Sequence, residues 1–534
     1  MVEGQGIGSW LRLRAVRSAG RVALVFNGAE LTYDALADRV DGIAAGLSAR
    51  GVERGDRVAY LGDNHPSFVE AMFATARLGA VFVPLNTRLA APELAFMLAD
   101  CGAGALISTP ALAGRADEAA AGSAQPLLRL RVGAGGEDWA GDGFEELLDA
   151  PPLTDLPAVG LDDPALIVYT SGTTGRPKGA VLTHGNLTWN ALNVLVDYDV
   201  TSADRALMVS PLFHVASLGM GCLPVLLKGA TLLLQERFAA PDALAAIERL
   251  RATSISGVPT TFQLMADDPS WSTTDLSSLR LMTCGGSPVP DRVREAYEAR
   301  GLRFSGGYGM TEASPGITLL PPQHTAAHPR SAGLAHFFTR VRIRDTATGE
   351  LAANGAAGEV EALGPNVFQG YWGDPAASAD ARTADGWLRT GDVGVLDADG
   401  FLVIADRLKD MIISGGENVY PAEVENALMG LPGVTGAAVI GLPHERWGEV
   451  PHAVVTLAPG ASLDAATVVE RLSASLARYK VPRTLEVVAE LPRTASGKVP
   501  KRLLRQRQVA GAAGAGSGGS PPPEPTAAGG QASA

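Results

Sequence analysis

Apolar positions near the start of the chain change period repeatedly, which predicts helices separated by short buried strands. Residues 31–50 (LTYDALADRVDGIAAGLSAR) have apolar side chains at helical spacing, and Thr32 stands where an N-cap belongs. Residues 56–62 predict a strand, 65–80 a helix and 81–86 another strand. Because such alternation is typical of βαβ units, we expect a mainly parallel sheet.

The pattern changes twice further along the chain. Short alternating strands joined by Gly, Asp and Asn turns fill 341–404 and predict a smaller antiparallel unit. A new helix and strand pattern of about 100 residues, enough for a small domain, begins after Asp406. From Gly511 the chain is Gly, Pro, Ala and Ser without apolar periodicity, which predicts disorder.

These patterns together predict an α/β fold with two domains and a tail. The large N-terminal domain combines βαβ sheets with a small antiparallel barrel-like unit, and the small C-terminal domain is α+β. The predicted bounds are 1–406 for the large domain, 407–510 for the small domain and 511–534 for the disordered tail.

Charge and cysteine content narrow the class of protein. The chain has 57 acidic and 44 basic residues, a net charge of −13, which argues against a protein that binds nucleic acid through bulk charge. The chain has three cysteines, none of them in a CxxC spacing. We therefore expect buried, inert thiols and a protein that resides in a reducing compartment. We expect no nucleic-acid partner.

The N-terminal residues lack the apolar segment of a signal peptide. The apolar run 215–234 contains Lys228 in its interior, which would be costly in a bilayer. A buried helix followed by a strand therefore explains this run better than a membrane span does. We predict a cytoplasmic protein with no integral membrane segment, and the sequence leaves a homodimer open.

The segment Tyr169–Gly179 (YTSGTTGRPKG) has the composition of a phosphate-binding loop. Its glycines let the backbone approach a ligand closely, consecutive N–H groups can form an anion nest, and Lys178 adds a positive charge in a chain with only six lysines. It is not a Walker A loop, because the spacing G-x-x-x-x-G-K-[ST] is missing. The residues predicted to bind phosphate are Thr170, Ser171, Gly172, Thr173, Thr174, Gly175 and Lys178.

This loop resembles the phosphate loop of the adenylate-forming superfamily, which includes acyl-CoA synthetases, peptide-synthetase adenylation domains and firefly-type luciferases. The resemblance covers residues 10–507 and implies the adenylate-forming fold, in which the small domain is mobile. The other motifs follow in the family's order: PLFH (211–214), GGSP (285–288), GYGMTE (307–312), TGD (390–392), DRLKDMIISGGENVYP (406–421) and PRTASGKVPKR (492–502).

The resemblance assigns nucleotide contacts, and the chemistry of the side chains agrees. Glu312 follows a short turn and offers the hard oxygen ligand that Mg²⁺ prefers, and Thr311 would contact phosphate. Asp392 would accept hydrogen bonds from the ribose hydroxyls. The remaining predicted ATP and AMP contacts are Gly285, Gly286, Ser287, Tyr308 (stacked on adenine), Gly309 and Arg407, for which an interdomain salt bridge is the alternative.

The resemblance also implies two half-reactions with a domain rotation between them. Lys498 would offset the repulsion between a carboxylate and ATP during adenylation, and Lys409 would be the hinge. In the second state Gly415 and Gly416 would leave room for the pantetheine arm of CoA. Trp447 would line the same tunnel, with core packing as the alternative.

His214 is a candidate gate between the acyl pocket and the thiol tunnel, with a structural role as the alternative. Residues 213–219 contain no acid that could pair with an amino group, which favours fatty or aromatic acids over amino acids as substrates. The predicted acyl-pocket residues are Trp189, Phe213, Val215, Ala216 and Gly219.

We therefore predict an enzyme, an ATP-dependent acyl-CoA ligase that uses Mg²⁺, has CoA as co-substrate and acts on a medium- or long-chain fatty acid. The first alternative is a ligase for aromatic acids of the benzoate or cinnamate type. The second passes the acyl group to a carrier protein or another nucleophile. A nucleotide-binding regulator without catalysis is a third, against which Lys498, Glu312 and Asp392 argue.

Overall fold

A computed structural model describes most of the chain and divides it into two compact units, Met1–Ala405 and Asp406–Ala534. The described residues are 4–122, 126–133, 142–170, 177–285, 289–329, 331–407, 410–414, 417–444, 447–473, 476, 478–493 and 499–514.

Helices and strands alternate through most of the first unit. Its helices are α1 (Trp10–Arg17), α2 (Tyr33–Ala49), α3 (Pro66–Arg77), α4 (Ala91–Cys101), α5 (Ala113–Ala121), α6 (His184–Asp197), α7 (Val215–Ser217), α8 (Leu223–Lys228), α9 (Ala240–Leu250), α10 (Pro259–Ala266), α11 (Asp291–Glu298) and α12 (Pro375–Asp380). The strands of its two large sheets are β1 (Val22–Phe26), β2 (Ala29–Thr32), β3 (Arg57–Leu61), β4 (Val81–Pro84), β5 (Ala105–Ser108), β6 (Leu128–Arg131), β7 (Asp142–Gly143), β8 (Pro164–Thr170), β9 (Lys178–Thr183), β10 (Arg205–Met208), β11 (Thr231–Leu234), β12 (Ser254–Gly257), β13 (Leu281–Cys284), β14 (Phe304–Gly309), β15 (Gly316–Leu320), β16 (Leu334–Ala335) and β19 (Gly370–Tyr371). The two strands that lie between β16 and β19 in the chain belong to a third sheet.

Both large sheets are parallel in their centres. The first is antiparallel at both ends, whereas the second is antiparallel at its β19 end and parallel at its β7 end. One has the strand order β16-β15-β14-β13-β12-β10-β11-β1-β2, and the other β19-β9-β8-β4-β3-β5-β6-β7. The segments α2, β3, α3 and β4 coincide with the predicted elements, and Thr32 Oγ1 accepts the capping hydrogen bond from Ala35 N at 3.4 Å. The α/β prediction is confirmed.

The antiparallel unit predicted over 341–404 forms a third sheet. Its strands are β17 (Arg340–Arg344), β18 (Gly358–Leu363), β20 (Leu388–Leu396) and β21 (Leu402–Arg407), in the order β17-β18-β20-β21. Strand β20 brings Asp392 into this sheet, where its carboxylate is buried.

The apolar run 215–234 is folded inside the first unit. It forms α7, one π-helical turn over Leu218–Cys222, α8 and β11, and so matches the predicted helix followed by a strand. Among the described residues, none of the helices combines the length and apolar character needed to cross a membrane.

The second unit is a small α+β structure. Its elements are β22 (Ile412–Ser414), β23 (Glu417–Val419), α13 (Pro421–Met429), β24 (Val434–His444), β25 (Gly448–Leu457), α14 (Ala465–Ser473), β26 (Thr484–Val487) and α15 (Lys501–Gly514). Strand order is β23-β22-β25-β24, and β26 pairs with β25. Helix α15 includes the first four residues of the predicted tail, 511–514, because Ala510, Ala512 and Ala513 favour a helix.

Candidate active site

Part of the predicted nucleotide site lies outside the described residues. What the structure describes are the two ends of the loop: β8 ends at Thr170, β9 begins at Lys178, and these two residues are paired across the strands. The predictions that stay untested for this reason concern Ser171, Gly172, Thr173, Thr174, Gly175, Gly286, Ser287, Lys409, Gly415, Gly416, Lys498 and the side chain of Arg407.

The turn after β14 fixes the position of Glu312. Met310 N donates a hydrogen bond to Pro315 O at 3.0 Å, and a Cβ on Gly309 would overlap the same carbonyl, so the turn requires glycine there. Thr311 and Glu312 form the 3₁₀ turn that follows. The Glu312 side chain is buried, and its backbone carbonyl accepts a hydrogen bond from Phe368 N at 2.8 Å.

Tyr371 connects this glutamate to the phosphate loop, a role that the sequence reasoning missed. Its hydroxyl donates to Glu312 Oε1 at 2.8 Å. Lys178 Nζ lies 5.3 Å from the centre of the Tyr371 ring and 3.5 Å from Asp374 Oδ2. Burial, followed by the negative charge of Glu312, raises the pKa of Tyr371 well above its ordinary value, so the hydroxyl stays a donor.

The surroundings of Glu312 fit a magnesium ion that is carried by a nucleotide. Within the described ranges no group of three or more His, Cys, Asp or Glu side chains could enclose a metal. A cation on Glu312 would therefore complete its shell with phosphate oxygens and water, which is how Mg²⁺ is commonly held.

Tyr308 and Asp392 form a second hydrogen-bonded pair, which joins the large sheet to the third sheet. The Tyr308 hydroxyl donates to Asp392 Oδ2 at 2.6 Å, and Asp392 N donates to Thr390 Oγ1 at 3.2 Å. Gly285 follows β13, the parallel neighbour of β14, and donates from its N–H to Gly257 O at 3.1 Å. The residues predicted for adenine thus lie on or directly after the neighbouring strands β13 and β14, and the Tyr308 hydrogen bond brings the ribose candidate Asp392 of β20 next to them.

The predicted acyl-pocket residues fall into two places. Phe213 and Val215 are buried on either side of His214, whose ring lies 4.5 Å from the Phe213 ring, while Ala216 is exposed. Trp189 on α6 packs edge-on against Phe338, with ring centres 5.1 Å apart.

Gly219 lies against the turn that contains Glu312. A Cβ on Gly219 would overlap the Ser314 carbonyl oxygen, and Asn190 Nδ2 donates to Gly219 O at 2.8 Å. Asn190 Oδ1 also accepts from Gly316 N at 3.0 Å, so one side chain ties α6 to both segments.

A small cavity lies beside the strands β10, β12 and β13. Its lining includes Val194 and Tyr198 from α6 and from just beyond its end, Met220 and Gly221 from the π-helical turn, and Thr283 from β13. The predicted acyl-pocket residues do not line it. Val194 and Tyr198 are four residues apart, a spacing that places two residues on the same side of a helix. The spacing does not show which part of the protein that side contacts.

The three cysteines are buried and unreactive, as the sequence predicts. Cys101, Cys222 and Cys284 are all buried and free. Burial raises the pKa of Cys101 to about 11 and those of Cys222 and Cys284 to about 12. A thiol in this state is a poor nucleophile at neutral pH.

The second unit holds Trp447 half-buried next to Arg483, whose guanidinium carbon lies 5.7 Å from the centre of the indole ring. In the same unit, Lys480 Nζ pairs with both carboxylate oxygens of Glu423 at 2.7 and 2.8 Å. The tunnel role of Trp447 stays a prediction.

Comparison with known families covers most of the chain. The family model of the AMP-binding enzymes matches residues 11–372, and that of the AMP-binding enzyme C-terminal domain matches 423–498. The resemblance to adenylate-forming enzymes, and with it the predicted fold of a large domain, a barrel-like unit and a small C-terminal domain, is confirmed.

Individual relatives are similar over their full length. A feruloyl-CoA synthase from an Amycolatopsis species is 52% identical over 95% of this chain and 100% of its own. A long-chain-fatty-acid–CoA ligase from Mycobacterium tuberculosis is 38% identical over 95% of this chain and 99% of its own. The structure of o-succinylbenzoate–CoA synthetase from Bacillus subtilis with ATP and a magnesium ion has a TM-score of 0.83 at 33% identity, covering 93% of this chain and 98% of that one.

Proposed function

The chain belongs to the AMP-binding enzyme family, and from this premise we propose that it joins CoA to an aromatic carboxylic acid of the hydroxycinnamate type. It is an AMP-forming acid–CoA ligase, so ATP and CoA are its other substrates. The observation that carries the choice of acid is the full-length similarity, at 52% identity, to a feruloyl-CoA synthase.

The reaction has two steps. The acid's carboxylate attacks the α-phosphate of ATP, the bond to the β-phosphate oxygen breaks, and acyl-AMP and pyrophosphate form. The CoA sulfur then attacks the acyl carbon, AMP leaves, and the thiol proton passes to solvent. The buried cysteines support a direct transfer without an acyl-enzyme intermediate.

We assign the charge stabilisation of the first step to Glu312, Lys178 and Lys498. Glu312, held by Tyr371, would ligate Mg²⁺, which when bound neutralises phosphate charge. Lys178 would contact the phosphates, and Lys498 would approach the attacking carboxylate. Tyr308 and Asp392 would hold adenine and ribose, and their 2.6 Å hydrogen bond supports a common site.

The relatives favour the aromatic alternative over the fatty acid that the sequence alone predicts. Identity to the feruloyl-CoA synthase is 52%, against 38% for the fatty-acid ligase, over equal shares of this chain. The fatty acid is therefore the second candidate.

The test is pyrophosphate release by the full-length enzyme with Mg-ATP, using 4-hydroxy-3-methoxycinnamate, cinnamate, benzoate and fatty acids of several lengths, each with and without CoA. We expect the highest kcat/KM with the hydroxycinnamates and AMP release that depends on CoA. A preference for fatty acids would overturn the aromatic assignment. CoA-independent AMP release would favour another acceptor.

A further inference from the structure

The buried hydroxyl of Tyr198 forms no hydrogen bond of acceptable geometry with any residue that the structure describes, although the hydroxyls of Ser305 and Thr283 lie near it. The side chain is 7% exposed, and no described residue lies within hydrogen-bond distance and angle of its Oη. A buried hydroxyl without a hydrogen bond destabilises the folded protein, so its retention calls for an explanation. Burial also raises the pKa of Tyr198 well above its ordinary value, and the nearby hydroxyls of Ser305 and Thr283 act in the opposite direction.

Tyr198 lines the cavity between α6, the π-helical turn and the strands β10, β12 and β13. The walls are mostly apolar, from residues such as Val194, Met220 and Leu281. The polar side chains in the lining besides Tyr198 are Thr283, Ser254, Ser256, Asp204 and Arg280. The free space accepts roughly one or two groups of the size of water. A hydroxyl or methoxy substituent is of this size, whereas a complete ring is not.

Asp204, another polar residue of the cavity wall, already accepts several hydrogen bonds from the protein. Asp204 accepts hydrogen bonds from Thr201 N at 2.6 Å, Thr253 Oγ1 at 2.8 Å and Arg280 Nε at 2.9 Å. A ligand oxygen in the cavity would therefore gain more from Tyr198 than from this ion pair.

The cavity also lies at a suitable distance from the reacting end of the acid. A Cβ built on Gly307 would lie 3.8 Å from Tyr198 Oη, which places the hydroxyl directly behind β14. Gly307 precedes Thr311, the predicted phosphate contact, by four residues, at most roughly 13 Å of extended chain. An aromatic ring with a short side chain fits this span, and a long alkyl chain exceeds it.

We propose that Tyr198 is a specificity residue whose hydroxyl binds the ring hydroxyl of a 4-hydroxylated aromatic acid, with Thr283 beside it for a neighbouring methoxy oxygen. The proposal rests on the aromatic function proposed above. A buried group that hydrogen-bonds a substrate hydroxyl discriminates against the analogue that lacks the hydroxyl, because the protein group is then left unpaired.

The experiment compares kcat/KM for 4-hydroxycinnamate and cinnamate in the wild-type enzyme and in Tyr198→Phe. We expect the wild type to prefer the hydroxylated acid, and the variant to lose about three- to tenfold of that preference, the worth of one hydrogen bond. Activity on cinnamate should stay the same or rise. Tyr297→Phe is the matched control, because Tyr297 is also buried and its hydroxyl donates to Phe262 O at 3.0 Å, away from the cavity.

Met220→Phe keeps the proposal testable if Tyr198→Phe does not fold. The larger ring enters the same cavity from the helical side and should lower kcat/KM for 4-hydroxycinnamate relative to cinnamate by at least threefold. An unchanged ratio in a folded Tyr198→Phe, or in a folded Met220→Phe, overturns the proposal while the aromatic function stands. If the wild type activates none of the aromatic acids, the proposed function itself fails.

Discussion

The nucleotide side of the candidate site and the cavity behind β14 are built on opposite principles. On the nucleotide side the polar groups already hold one another: Tyr371 donates to Glu312, and Tyr308 donates to Asp392. Tyr198 lines the cavity, whose walls are mostly apolar, and its hydroxyl has no hydrogen bond of acceptable geometry to a described residue. The first arrangement fixes groups before the ligand arrives, and the second leaves one group for the ligand to satisfy.

This difference separates two kinds of variants. A change on the nucleotide side should affect every acid equally, since ATP is common to all of them. A change in the cavity should alter the ranking of acids and leave the KM for ATP unchanged. Each prediction below tests one side of this division.

The largest effect should come from Glu312→Gln. Without the carboxylate charge the proposed magnesium ligand is weakened, and pyrophosphate release should fall by about two to three orders of magnitude with every acid. Glu298→Gln is the control, because Glu298 belongs to a surface ion pair with Arg294. A loss confined to hydroxylated acids would contradict the division.

Tyr371→Phe should have an intermediate effect. It removes the hydroxyl that holds Glu312 Oε1 but keeps the ring, so kcat should fall about tenfold and half-maximal activity should need more Mg²⁺. A magnesium titration separates this positioning role from a general loss of stability. Tyr33→Phe is the control, because its hydroxyl donates to Ala230 O at 2.6 Å in the core. An unchanged magnesium requirement would remove Tyr371 from the proposed mechanism.

The smallest effect should come from Gly221→Ala. The new Cβ would lie 2.6 Å from the Met208 methyl group, whose flexible side chain must shift within the cavity lining. We expect kcat/KM for 4-hydroxy-3-methoxycinnamate to fall about two- to fivefold relative to cinnamate, with the KM for ATP unchanged. Gly114→Ala, a position with open space around it, is the control. Equal losses for both acids would argue against a selective cavity.

The sequence could predict local elements and motif residues, but not the contacts between distant segments. Apolar periodicity located α2, β3, α3 and β4, because helices and strands are local patterns. The motifs located Glu312, Tyr308 and Asp392, although not the hydrogen bond between the last two.

The roles of Tyr371 and Tyr198 could not be predicted from the sequence, because the residues around them come from distant segments of the chain. Tyr371 meets Glu312 across 59 residues of chain, through the pairing of β19 with β9. Tyr198, directly after α6, approaches Gly307 of β14 although the two residues are distant in sequence. Trp189 is a further example, since its predicted pocket role gives no indication of its packing against Phe338.

The burial of Cys101, Cys222 and Cys284 has a practical consequence for measuring this reaction. An aromatic disulfide reagent that develops colour with free thiols reacts through the thiolate, and the enzyme's own thiols are both inaccessible and far from ionised at neutral pH. The CoA thiol is then the group that the reagent titrates. Samples quenched by the reagent should report CoA consumption directly, with a protein background close to zero until the enzyme unfolds.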